Sequence, residues 1–411
     1  MPSAWTKPDS EKSTGRVASR GVPSAPEDFS LSLGGPLYHL YLRTRLARPP
    51  LELLRRRIIA FSMICWLPLL VLSLAEGHAV SGVHVPFLLD IETYARFLVA
   101  LPLLLVAEVV VHRRISPLIL QFRKRDIISE RDWGRFEAIV ASTIRLRNSR
   151  IVEVILLVLS VTVSNWVWRE YLALKAPTWY ASPAGKEMHL TAAGFWYVGV
   201  SLTILRFMLY RWYFRILLWY QFLWRVRGLP LHLNLFHPDR SAGLEFLSVS
   251  LFAFAPVLVA HTVFLAGFIG GRIVYDNARL STFKMDAVGT VVLLMLVVIV
   301  PLCFFVCHLT QARRKAALEY GLLASIYVDD FRSKWIKDTS ERDETLLGTP
   351  DIQSLADLSN AYNVINEMRL LPFGKRALLE LALLLLAPLL PLTLAEVPIE
   401  QIIERILKIA L

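Results

Sequence analysis

Hydrophobic residues along this chain neither alternate with polar ones nor recur as thin helical stripes; they gather into long runs. Seven such runs occupy about 58–74, 97–111, 151–168, 193–224, 244–273, 287–309 and 377–395. About 20 apolar residues in a helix cross a hydrocarbon core about 30 Å thick. Only a helix or a closed barrel satisfies its peptide groups there, and unbroken runs select the helix. The pattern therefore predicts an all-α, polytopic transmembrane helical bundle of six to seven spans.

The polar stretches between the runs set the organisation. Residues 1–36 mix Ser, Pro, Lys and Glu with few large apolar residues, as a disordered cytoplasmic tail does. Segment 37–57 interleaves Leu37, Leu40, Tyr41 and Leu46 with arginines and ends in Arg55-Arg56-Arg57, the pattern of a basic interfacial segment. A six-span bundle then fills 58–310. It includes a cytoplasmic segment, 112–150, in which Phe136, Ile139, Val140, Thr143 and Ile144 recur at helical spacing.

Residues 311–375 form a second cytoplasmic helical segment. Pro350 marks a helix start there, and the stripe Ile352, Leu355, Leu358, Tyr362 and Ile365 is expected to dock beneath the bundle. The last part, 376–411, holds an apolar run broken by Pro388 and Pro391, which either crosses or re-enters. An amphipathic helix through Ile399, Ile402, Ile403 and Ile406 follows it.

Charge changes the picture by giving the bundle a direction. The chain carries a net +11, with 55% hydrophobic and 19% charged residues. Its arginines crowd the flanks of the first two runs while their connector has almost none, which places the connector outside and the N-terminus in the cytoplasm. The basic balance thus speaks for orientation and contact with membrane lipids. No recognition module for nucleic acid accompanies it. Cys65, Cys303 and Cys307 all fall inside apolar runs and build no disulfide framework.

Candidate chemistry centres on the fourth run. Arg206 falls near its middle, with Arg211 and Arg215 one and two turns closer to the cytoplasm. An arginine at mid-membrane costs at least about 2.5–3.5 kcal/mol, so it must face a partner, a cavity or the bundle interior. Glu108, Glu153, Glu245 and Glu380 each fall near the cytoplasmic end of a span, and a ring of carboxylates around Arg211 and Arg215 is expected. Two readings follow. One is an ion-pair network that locks helix register. The other is an anionic-substrate or lipid-headgroup site in which Arg206 is left for the ligand.

Other features are weaker. Pro68, Pro102, Pro256, Pro301 and Pro388 interrupt five runs, as hinges or as ordinary kinks. Gly267, Gly270 and Gly271 suit close helix packing. His261 and His308, with Cys303 and Cys307, match no metal or haem spacing and are expected to be core residues, so no cofactor is implied. The loop His237-Pro238-Asp239-Arg240-Ser241-Ala242-Gly243 offers acid, base and charge at the cytoplasmic face, although helix capping accounts for part of it. There is no phosphate-binding loop, zinc-protease helix or nucleophile elbow, which leans away from an enzyme.

With this loop and the segment Gly348-Thr349-Pro350-Asp351-Ile352-Gln353-Ser354-Leu355-Ala356-Asp357-Leu358, the chain resembles a family of bacterial polytopic inner-membrane proteins. The likeness extends from about Pro36 onward and continues in Met368-Arg369 and Leu371-Pro372-Phe373. Where the family pattern has glycines, this chain has Ala242 and Glu245, which bears against close backbone approach at that turn. The resemblance implies a bacterial inner membrane and brings no assigned activity, so no residue role carries over. Three functions are open, in this order: a small-solute or anion transporter or channel that uses the intramembrane arginines; a non-catalytic subunit, scaffold or sensor with protein partners on its cytoplasmic face; and a lipid-modifying enzyme. The oligomeric state is not specified.

Overall fold

Buried in lipid, an apolar run can place its peptide hydrogen bonds only within its own helix, and in the computed structural model the runs do so. The structure describes residues 29–49, 51–162, 178–184, 187–337 and 348–396. In chain order come α1 (Pro36–Arg43), α2 (Leu54–Ala75), α3 (Ile91–Lys124), α4 (Glu130–Arg147) and α5 (Arg150–Val161). A hairpin of β1 (Ala181–Ala184) and β2 (Glu187–Leu190) leads into α6 (Ala192–Val226). Then follow α7 (Glu245–Asp276), α8 (Leu280–Cys303), α9 (Val306–Arg332), α10 (Pro350–Asn366) and α11 (Lys375–Thr393). Six of these helices, α2, α3, α6, α7, α8 and α11, are long and apolar enough to cross a membrane.

The core follows from which stripe of each helix is apolar all round. Along α3, Phe97, Leu101, Leu104, Leu105, Val111, Ile115, Ile119 and Phe122 are all buried, and Glu108 is buried with them. Helices α2, α6 and α7 pack around α3, while α4 and α5 lie against α6. α8 and α11 complete the bundle against α7. The outward faces of α2, α5, α8 and α11 are also apolar: Ile59, Met63 and Val71, Ile151 and Val154, Val292 and Leu293, Leu379 and Leu383 are exposed. So wide an apolar girdle is unstable against water and is solvated by acyl chains.

Two close approaches require glycine. A Cβ on Gly194 would stand 2.0 Å from the Tyr180 carbonyl oxygen, because the residue just before β1 lies against the first turn of α6. A Cβ on Gly267 would stand 2.7 Å from that of Ala95, so α7 and α3 touch almost backbone to backbone, as small residues at helix interfaces allow. Four of the five prolines coincide with local rewinding. Residues 95–100 form a π turn ahead of Pro102, and Phe254 breaks α7 ahead of Pro256. α8 ends just after Pro301, and Pro388 sits in a 3-10 turn. Each adjusts the ladder where the proline removes a donor.

Several boundaries differ from those the sequence suggested. Residues 29–36 belong to the packed body rather than the tail: Phe29 and Leu31 are fully buried, with the Phe29 ring 5.4 Å from that of Phe222. Composition averaged over the tail hid these anchors. The second run starts earlier and continues to Lys124 as one helix, so 112–124 is not a separate stretch. The sixth ends at Cys303, where α9 begins a new direction after Phe304 and Phe305.

The α10 stripe packs on α9 and not beneath the bundle; only Ile365 of its five residues is buried. The run broken by Pro388 and Pro391 extends along α7 over most of its length, Leu392 lying against Gly270. The tail 1–28, the third run from 163 onward, and the terminal helix through Ile399–Ile406 lie outside the described residues.

Candidate functional site

Three arginines and one carboxylate meet at the centre of the bundle. Glu108, 2% exposed, projects from α3 between α2 and α6. Arg57 donates to its Oε2 at 2.7 Å, while Arg211 and Arg215 approach its Oε1 at 3.4 and 3.2 Å. Arg211 also reaches Glu153 of α5 through Nε at 3.1 Å. Glu153 in turn accepts the backbone N–H of Leu37 on both oxygens at 3.3 Å, fastening α1 to α5. Two further guanidinium donors go to main-chain carbonyls, Arg57 to Leu51 at 3.2 Å and Arg215 to Ser32 at 3.3 Å, while Arg57 Nε is buried without a hydrogen-bond partner among the described residues. Tyr41 covers Arg57, its ring centroid 5.4 Å from the guanidinium carbon. Burial and the nearby Glu108 carboxylate raise the Tyr41 phenol well above its ordinary range.

The expected ring of carboxylates around two arginines is thus inverted: one buried carboxylate is ringed by three arginines. Glu108, Glu153, Arg211 and Arg215 come together as expected, but Glu245 and Glu380 do not. Glu245 pairs with Arg369 at 3.4 Å, and Glu380 with Arg376 at 2.7 Å one turn before it. Both sit at an open cleft of about 910 Å³ where α11 begins. Being near one end of a span does not put residues on the same face, and these two take other partners.

Arg57 is the residue the sequence reading missed. It looked like the last member of an orientation-setting triplet. Its signal was positional: Arg57, Cys65, Leu69 and Ser73 share the one buried stripe of α2.

Arg206 lies apart from this centre. It is half-buried, within electrostatic reach of Tyr197, Tyr210 and Arg96. These belong to a second polar cluster toward the hairpin end. Asp90 caps the start of α3, accepting from the backbone of Glu92 and Thr93, and its other oxygen accepts from Trp179 Nε1 at 2.9 Å. Arg96 donates to the Tyr197 hydroxyl and the Glu92 carboxylate. Neither of the two described cavities is lined by Arg206.

The His237–Gly243 loop is held by one side chain. Asp239 Oδ1 accepts from the backbone of Ser241 at 2.8 Å and of Gly243 at 3.1 Å, and lies 3.1 Å from His237 Nδ1. Its Oδ2 accepts from the backbone of Glu245 at 3.2 Å and from Arg125 at 3.4 Å. These contacts hold Arg240 and Ala242 at positive φ, 55° and 52°. Arg240 meets Glu367 at 3.2 Å, and its carbonyl accepts from the Arg369 N–H at 2.7 Å. The loop is therefore the seat on which the segment after α10 docks. Asp239 spends both oxygens on that task, and the Glu245 carboxylate turns to Arg369 instead of joining His237 and Asp239.

His261 is satisfied by Tyr213 and the Val257 carbonyl, each at 2.7 Å. Among the described residues no group of three or more His, Cys, Asp or Glu is placed to hold a metal ion.

Fold and site together define a class: a multi-pass α-helical membrane protein knit by a buried arginine–glutamate network. No family model matches the chain, and no curated protein or solved structure does either.

Proposed function

We propose that the chain is a non-catalytic subunit or scaffold of a bacterial inner-membrane complex, with its N-terminus in the cytoplasm. The observation that carries this reading is the Glu108 network. Its side chains pair with one another and with main-chain groups, joining α1, α2, α3, α5 and α6. Buried pairs of this kind specify which helices meet and in what register. A carrier that alternates between two packings would have to break them.

The partner-facing element is the α9–α10 hairpin. Leu318, Leu322 and Ile326 are exposed along one side of α9, beyond the end of the α8 span. Arginine-rich flanks of the first spans support the orientation, and the resemblance in the Gly348–Leu358 segment supports the bacterial membrane.

Purification from native membranes in mild detergent, with mass spectrometry of what accompanies the protein, tests the proposal. A stoichiometric membrane or cytoplasmic partner, released by the double substitution Leu318→Arg and Leu322→Arg, is expected. A lone protein that conducts a small anion into proteoliposomes, with flux abolished by Arg206→Leu, would overturn it in favour of transport.

A further inference from the structure

Among the described residues the network is not electrically closed. Arg57, Arg147, Arg211 and Arg215 set four positive charges against the two carboxylates of Glu108 and Glu153. Arg147 ends α4 and donates to the Ser30 carbonyl and to Asn148, neither of which carries charge. Burial, reinforced by Arg215, pushes its guanidinium down to about 10, the sign of a cation short of a counter-ion. Cations left uncompensated in a poorly solvated setting are unfavourable and favour the binding of an anion.

A cavity lies where the excess is. It measures about 20 Å³ and is lined by Arg147, Arg211 and Arg215, the Glu153 carboxylate that Arg211 already engages, the Gly34–Gly35 turn and Ser149, the N-cap of α5. That is room for one water-sized group or one oxyanion oxygen. Arg211 and Arg215 are 6% and 3% exposed, so the cationic wall is rigid and desolvated. On α5 the cavity is lined by Ser149, Val152, Glu153 and Leu156, while the opposite face of the same helix carries exposed Ile151, Val154 and Ile155, so α5 stands between the cavity and the acyl region. Guanidinium groups at such a place suit a phosphate.

We propose that this cavity is an anion site that seats a phosphoryl oxygen, supplied by an anionic phospholipid headgroup or by free phosphate, between α5, α6 and the Gly34–Gly35 turn. The ligand completes the charge balance of the network and ties α5 to the bundle. The site stands independently of the subunit proposal, since its readouts involve no protein partner.

The test compares purified full-length protein in nanodiscs of phosphatidylcholine alone, the same with phosphatidylglycerol, and phosphatidylcholine with inorganic phosphate. Thermal unfolding and native mass spectrometry of retained lipid are the readouts. The expected result is a higher melting temperature with phosphatidylglycerol and at least one retained phosphatidylglycerol per chain. Stabilisation by phosphate equal to that by lipid, with none retained, supports the site and identifies the free anion as its source.

Arg147→Gln should lower retention or phosphate affinity at least tenfold. Ser149→Asp keeps an N-cap while placing a carboxylate at the opening, so it should fold normally and lose the response altogether. Two outcomes would overturn the proposal. One is equal stability of the wild type in all three discs. The other is a response that Ser149→Asp leaves intact while Glu27→Gln with Asp28→Asn alters it, which would assign the counter-charge to the tail.

Discussion

Glu108 shows what a single side chain is worth when its surroundings cannot relax. Its carboxylate answers Arg57, Arg211 and Arg215 at once, all of them nearly buried. Removing one partner from a buried ion pair leaves the others uncompensated and costs about 3–5 kcal/mol. Glu108→Gln should therefore lower the melting temperature in detergent sharply and reduce the yield of folded protein. Glu153→Gln should do less, because that side chain is 12% exposed and Arg211 keeps Glu108. Equal effects would mean that the two carboxylates share the load and that Glu108 is not the hub. At this scale the sequence announced Arg211, Arg215, Glu108 and Glu153, since charge inside apolar runs is conspicuous. Arg57 was concealed because an arginine at a helix start serves the positive-inside bias equally well.

Among the elements, the α9–α10 hairpin is joined by a few polar contacts that respond to acid. Asp351, in the first turn of α10, accepts from Lys334 Nζ and Trp335 Nε1, both at 2.9 Å, while its carbonyl accepts from the Tyr327 hydroxyl at 3.0 Å. The hydrogen bonds from Lys334 and Trp335 hold its pKa below the ordinary 3.8. A carboxyl whose pKa is depressed on folding contributes stability above the unfolded value and loses it as pH falls through the folded one. The contact should be intact at neutral pH and loosen only below about pH 4.

A fluorotryptophan resonance from Trp335 would follow the transition. Asp351→Asn should remove the acid-dependent shift, and a shift that persists would assign it to another group. The α10 stripe was visible in the sequence at helical spacing, yet its partner was not, because α9 and the bundle offer equally apolar surfaces. The docking of Arg369 and Leu371 on the Arg240–Ser241 turn, with Arg313 of α9 on the Asn366 carbonyl, places the end of α10.

For the whole molecule, two ends are defined by contacts rather than by a membrane. At one end the His84 and Tyr275 rings meet at 5.9 Å, so Ser81 and Asn277 lie together with the β1–β2 hairpin. At the other, Arg125 reaches Asp239 and Arg313 donates to the Asn366 carbonyl. With Cys65, Cys303 and Cys307 replaced by Ala, a cysteine at exposed Ser81 or Asn277 should react with an impermeant maleimide in intact cells. One at exposed Lys315 should react only after the membrane is opened. The reverse pattern would invert the orientation drawn from the arginine-rich flanks.

That the apolar runs become membrane-length helices, and the all-α character of the fold, was determined by the sequence alone, because in lipid each run must satisfy its own peptide groups. That requirement is local, so it can be read one run at a time. Which charges meet was decided only by tertiary structure. Rotation and tilt of a lipid-solvated helix depend on packing against neighbours far away in the chain. That packing gave Glu245 and Glu380 other partners, brought Arg57 inward, and drew residues 29–36 out of an otherwise polar tail into the core.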